Sequence, residues 1–146
     1  MKNIFFICCM FLLSNIYSQN GIIGKWKTID DETGKPKSIV EIYEKSGKIY
    51  GKINHIIETE HRNRVCEKCE GDDKNKPILG MVIIRGLTKD GTEYSGGKII
   101  DPKNGKSYRC LIALESASKL KVRGYIGFSL FGRSQHWTRV DDSKNN

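Results

Sequence analysis

Apolar and polar residues alternate with period two along most of the chain from Ile22 to Val140, the period that a half-buried β-strand requires. The cleanest run sets Leu120, Val122, Gly124 and Ile126 on one face against Lys119, Lys121, Arg123 and Tyr125 on the other. Ile49, Gly51, Ile53, His55 and Ile57 alternate with Tyr50, Lys52 and Asn54. Tyr108, Cys110, Ile112 and Leu114 alternate with Ser107, Arg109, Leu111 and Ala113. No stretch of comparable length carries a helical stripe with caps. Turn chemistry punctuates the runs at Lys45-Ser46-Gly47, Asp101-Pro102-Lys103-Asn104-Gly105 and Glu115 to Ser118. Reading between these signals predicts eight strands at 22–30, 36–44, 47–57, 79–87, 92–100, 105–114, 118–128 and 132–140. Consecutive strands on short turns make an antiparallel up-and-down meander, and closing it into a barrel removes the exposed edges of an open sheet. The expected class is therefore all-β, an eight-stranded up-and-down barrel. A two-sheet sandwich is the rival.

The chain's 146 residues suit one domain. The first eighteen residues read as an address rather than as part of it. Lys2 supplies a positive start, Ile4 to Leu13 is unbroken apolar sequence, and Ser14 to Ser18 is a polar end with small Ser18 before Gln19. These are the three regions of a secretory signal peptide. The expected organisation is a leader over 1–18, a barrel over 19–140 and a disordered tail over 141–146, in an exported protein that is periplasmic or secreted. No apolar run reaches the ~20 residues of a membrane-spanning helix. Removal of the leader leaves Cys66, Cys69 and Cys110, and one local disulfide plus one free thiol is the simplest pairing in an oxidising compartment.

One segment breaks the alternation. Glu58 to Pro77 is polar and reads as a long loop between the third and fourth strands, and it holds Cys66-Glu67-Lys68-Cys69. A loop disulfide, half of a zinc site completed by His55 and His61, and a redox dithiol all suit such a pair. The second C-x-x-C of a zinc ribbon is missing, and so is the βαβ context of a thioredoxin-like dithiol, which favours the disulfide and no metal. Cys110, on an apolar face between Tyr108 and Ile112, reads as an inert buried thiol. No Ser-His-Asp, Cys-His or paired-carboxylate spacing surrounds His55, His61 or His136, so neither an enzyme nor a cofactor is expected. The formal net charge is +8, and Lys119, Lys121 and Arg123 share a face with Tyr125. Without a nucleic-acid motif in an exported chain, that face reads as solvated, with peripheral contact to envelope surfaces as its further use and no nucleic-acid partner. Trp26 on the first strand and Arg139 on the last would meet where a barrel closes, a structural pair.

Gly24-x-Trp26, Tyr50-Gly51, Pro77-Ile78-Leu79-Gly80, Asp101-Pro102-x-x-Gly105-x-x-Tyr108, Val122-Arg123-Gly124-Tyr125-Ile126-Gly127 and Gly132-Arg133-x-Gln135-x-Trp137-x-Arg139 occur here in order. The combination, from about Ile22 to Val140, resembles a bacterial family of exported proteins of unknown function with a lipocalin-like fold. The resemblance implies an eight-stranded calycin-type barrel, whose relatives hold small apolar ligands. Many members lack a cysteine pair in the long loop, which implies that Cys66 and Cys69 stabilise this chain's loop rather than serve a shared activity. Barrels of eight strands either fill with side chains or hold one small ligand. The residues expected to line a site for a small, mostly apolar molecule are Ile53, Tyr108, Ile112, Val122, Ile126 and Trp137, with Gln135 as polar anchor. Gly51 and Gly124 are expected to leave space on the inward faces. An interaction module with a filled barrel is the alternative, and a thiol or zinc protein built on Cys66 and Cys69 the lesser one.

Overall fold

The computed structural model describes residues 21–142; the leader expected at 1–18 and the last four residues of the expected tail lie outside them. Eight strands follow one another as β1 (Gly24–Ile29), β2 (Pro36–Lys45), β3 (Lys48–Ile56), β4 (Val82–Asp90), β5 (Glu93–Asp101), β6 (Lys106–Ser116), β7 (Lys119–Tyr125) and β8 (Gly132–Arg139). Each pairs antiparallel with its sequence neighbour, and β1 pairs with β8 to close the barrel. The two-sheet alternative is thereby excluded.

The barrel has two rims of different character. At the terminal rim, two-residue turns join β2 to β3, β4 to β5 and β6 to β7, and both ends of the described chain emerge there. At Ser46-Gly47 both residues take positive φ (53° and 76°), the backbone twist that suits a tight hairpin. At the loop rim lie the longer connections 30–35, 57–81, 102–105 and 126–131.

Most strand boundaries lie within two residues of the sequence reading; the larger shifts are β4, at 82–90 rather than 79–87, and the end of β7. β4 starts at Val82 rather than at 79 because the preceding residues are committed to the loop: Val65 bridges Pro77, Ile78 N–H donates to the Arg64 carbonyl, and Gly80 turns at φ 87°. β7 stops at Tyr125 rather than at 128 because Gly127 turns at φ 69°, so Ile126 leaves the inward face and is 67% exposed.

The core is the barrel interior. Trp26, Val40, Ile42, Ile84, Leu87, Cys110, Ile112 and Leu120 are almost wholly buried, from seven of the eight strands counting their neighbours Ile53 and Trp137 on β3 and β8. Thr28 and Ser38 are the buried polar residues among the described ones, and their hydroxyls satisfy each other at 2.7 Å.

Closure is fastened at the terminal rim. Trp26 pairs with Arg139 across the β1–β8 seam, and the guanidinium carbon stands 4.2 Å from the indole ring centroid. The same guanidinium donates to the carbonyls of Ala117 (2.7 Å), Ile23 (3.0 Å) and Gly21 (2.5 Å), while Trp26 Nε1 donates to the Ile22 carbonyl at 2.9 Å. One side chain thus ties the chain's entry, the seam and the β6–β7 turn.

Candidate functional site

The interior changes from closed to open along its length. Near the terminal rim it is packed, and Gly51 shows how tightly. A Cβ there would sit 3.1 Å from Ile84 Cβ and 3.2 Å from Val40 Cγ1, so this glycine admits close neighbours instead of leaving the space expected of it. Ile112, Val122 and Trp137 are buried as well.

Toward the loop rim the inward positions of β5 to β8 keep accessible surface. Ile99 pairs with Tyr108, and Cys110 with Gly124, on the inward phase. A Cβ at Gly124 would lie 3.5 Å from both Ile99 Cγ2 and Tyr108 Cβ, an ordinary van der Waals separation that gathers these three residues at one place. Ile99, Tyr108, Gly124 and Gln135 are each partly exposed, whereas Ile112, Val122 and Trp137 beneath them are not. We call this partly exposed inward cluster the cup, and the buried Ile112, Val122 and Trp137 its floor.

The rim of the cup is polar and connected. Trp137 Nε1 donates to Gln135 Oε1 (2.8 Å), and Gln135 Nε2 donates to Asp31 Oδ2 (2.7 Å). Arg133, on β8, pairs with the same carboxylate at 3.0 Å. Asn104 Nδ2 donates to Tyr108 Oη at 2.9 Å, and Lys103 reaches Glu32 at 2.6 Å, linking the β5–β6 and β1–β2 connections over this end. Such a cup offers apolar contact below and hydrogen-bonding groups above, the usual division of labour in small-molecule sites.

Of the residues expected to bind, Tyr108 and Gln135 line the cup, Ile112, Val122 and Trp137 form its floor, and Ile53 is buried on β3. Ile126 is a correction, since it points to solvent beyond the end of β7. Asp31, Asn104 and Ile99 escaped the sequence reading. Asp31 and Asn104 lie in connections, where periodicity carries no signal, and Ile99 sits past a register shift between Tyr94 and Gly97 that hides its phase.

Two further clefts, of about 310 and 280 Å³, lie outside the barrel around Val82 and Arg85. Arg85 is committed there: its guanidinium pairs bidentately with Asp73 at 2.8 and 3.0 Å, which holds that carboxyl below the usual carboxylate range.

Cys66 and Cys69 form a disulfide, and both are buried. The Cys66 sulfur lies 3.5 Å from the Pro102 carbonyl oxygen, and a Cβ at Gly105 would run into the backbone of Lys68. The long loop is therefore packed onto the β5–β6 turn. His55 lies 3.5 Å from an Arg62 nitrogen and His61 pairs with Glu58 at 2.8 Å, so neither histidine joins the cysteines. Among the described residues no three His, Cys, Asp or Glu side chains converge as a metal site would require. Cys110 is fully buried, and burial pushes its thiol up to about 12.

Comparison with solved structures finds the same architecture in a protein of the human pathogen Helicobacter pylori described as belonging to the lipocalin family. The two are 23% identical, the match covers 84% of each chain, and the TM-score is 0.74. A redesigned β-barrel is similar at 16% identity over 82% of this chain and 91% of that one, with a TM-score of 0.45. Comparison with the curated proteins gives no match. The family signature described as "uncharacterized protein conserved in bacteria", DUF2147, matches residues 24–139, nearly the whole barrel. The chain belongs to this bacterial family, and its fold is a lipocalin-like barrel.

Proposed function

We propose that this protein is an exported binding protein that receives the apolar part of a small molecule in the cup at the loop rim. The observation that carries the reading is the contrast within one interior. Ile99, Tyr108, Gly124 and Gln135 face inward yet keep accessible surface, while the layer below is shut. Inward-facing surface that the protein leaves uncovered is surface a ligand covers at a gain of ~25 cal/mol per Å² of apolar area. The buried floor favours a compact ligand or one end of a longer one. Gln135, Asp31, Arg133 and Asn104 favour a polar group at the end that stays near solvent. The likeness to a lipocalin-family protein supports the same class of activity. No catalytic chemistry is proposed.

Native mass spectrometry of the protein purified gently from its own cells tests this. A defined small molecule released on denaturation is the expected result. Bare polypeptide together with no saturable uptake of fatty-acid or other apolar probes contradicts it.

The second reading, a filled barrel working through its outer surface, is favoured by the packing around Gly51, where even a Cβ would press on Ile84 and Val40.

A further inference from the structure

The β7–β8 connection exposes what the rest of the molecule buries. Ile126, Phe128, Leu130 and Phe131 are 67%, 77%, 85% and 71% exposed, four large apolar side chains within six residues. Scattered apolar residues on a surface need no explanation, but a contiguous group of this size marks an interaction site.

The connection is held in that shape. Ile126 N–H donates to the Phe131 carbonyl (3.1 Å) and Phe131 N–H to the Phe128 carbonyl (3.0 Å), closing the turn on itself. Arg123, on the outer face of β7, donates to the carbonyls of Ser129 (2.7 Å) and Leu130 (3.3 Å) and to Ser134 Oγ (3.0 Å). A strand side chain thus braces the turn from beneath, so its apolar tip stands out from the rim instead of folding back.

The segment that carries it is basic. Residues 102–140 contain eight Lys and Arg against one carboxylate, Glu115, and so carry seven of the chain's eight net positive charges. Glu115 lies near the terminal rim, where Lys119 and His136 engage it. On the outer strand faces beside the turn stand Arg123 and Arg109, which pairs with Tyr125, with Lys98 next to Arg109 across β5–β6; Arg133 and Lys103 at the same rim are engaged by Asp31 and Glu32. Both ends of the described chain leave from the opposite rim. A protruding apolar tip beside outward-facing Lys and Arg is the combination that partitions into a lipid interface, with apolar burial and attraction to anionic headgroups adding.

We propose that the β7–β8 connection docks the barrel, loop rim first, onto an anionic lipid bilayer, with Phe128, Leu130 and Phe131 entering the headgroup region and Arg109 and its basic neighbours meeting phosphates. The proposal is independent of whether the cup holds a ligand.

Vesicle co-sedimentation tests it, using the protein as the cell delivers it with its N-terminus established by mass spectrometry. Vesicles of phosphatidylcholine containing phosphatidylglycerol should bind it, and vesicles of phosphatidylcholine alone should bind it at least tenfold less. Added salt should weaken the binding. The variant Phe128→Ser/Leu130→Ser/Phe131→Ser should lose about a hundredfold in partitioning, since each side chain removed from contact with lipid forfeits apolar burial. Because these side chains are 71–85% exposed, its thermal unfolding should match that of the parent. As a second readout, Phe128→Trp should give an indole emission that shifts to the blue on anionic vesicles. Absence of binding to either vesicle overturns the proposal, as does equal binding by the triple variant or no shift in Phe128→Trp. Concentration-dependent dimerisation that the triple variant abolishes, without vesicle binding, overturns it in favour of a second copy as the occupant.

Discussion

At the scale of single residues, Cys110 makes the sharpest test of how dry the interior is. It sits on the inward face of β6 between Tyr108 and Ile112, and burial alone pushes its thiol from the ordinary 9.0 up to about 12. A raised folded value means that the folded state keeps a proton which the unfolded chain has given up. Stability from this source is complete below pH ~9 and is lost as pH rises toward about 12. By pH 10 the loss should exceed about 1 kcal/mol, one pH unit of linkage. Denaturant unfolding at pH 8 and pH 10 should therefore show a smaller decline for Cys110→Val than for the parent, a comparison that cancels the lysines and tyrosines common to both. Identical declines would mean that the thiol is hydrated. The same burial predicts that Cys110 resists alkylation until the protein unfolds. Gln135 illustrates the opposite case of a residue placed by its partners: it accepts from Trp137 Nε1 and donates to Asp31. In Gln135→Leu the indole N–H of the buried Trp137 is left without its acceptor, at a cost of about 1–3 kcal/mol.

At the scale of elements, the long connection between β3 and β4 is held by packing as much as by its disulfide. A bond closing so short a ring restrains the unfolded chain by only about 2 kcal/mol in the chain-entropy picture. Both cysteines are nevertheless buried, and the Lys68 backbone rests against Gly105, whose φ is 72°. Gly105→Ala should accordingly cost about 2 kcal/mol or more, from positive φ and from collision with the loop backbone together. It should also increase proteolysis within 57–81 as much as Cys66→Ser/Cys69→Ser does. A Gly105→Ala protein with unchanged stability and unchanged cleavage would contradict the packing described here. Most strands were legible because alternation is a local signal: the turns at Ser46-Gly47 and Asp101 to Gly105, and the inward phase of β6, follow from neighbouring residues alone. The start of β4 was not legible, because Pro77 to Gly80 is apolar enough for a strand but is claimed by long-range pairing with Arg64 and Val65. Alternation carried past Tyr125 likewise suggested a strand where Gly127 and Gly132 bracket a turn. That turn holds four of the eight large apolar side chains exposed among the described residues.

At the scale of the molecule, the barrel is fastened at the terminal rim and keeps accessible inward surface toward the loop rim. Arg139 governs the terminal rim, and its replacement by Met should cost about 3 kcal/mol through loss of the indole contact and of hydrogen bonds to three carbonyls. Chemical denaturation measures this, and a cost under ~0.5 kcal/mol, as for an ordinary surface change, would mean that the seam is held elsewhere. The legible part of the cup was its strand-borne half, Tyr108, Ile112, Val122, Gln135 and Trp137. Its polar rim was not legible, because Asp31 and Asn104 become neighbours of that half only when the barrel closes. The loop rim is where binding is proposed, and Gly124 gives the means to close it. A side chain there meets Ile99 and Tyr108 at ordinary contact distance, so Gly124→Val should fill the cup while keeping the fold. The most direct measurement is a fluorescence titration of an apolar probe against the parent, Gly124→Val, and the Phe128→Ser/Leu130→Ser/Phe131→Ser variant, with thermal unfolding of each. Binding in the cup predicts saturable one-to-one uptake by the parent and by the triple variant, and at least tenfold weaker uptake by Gly124→Val at undiminished stability. Uptake unchanged in Gly124→Val, or absent from a folded parent, would contradict it.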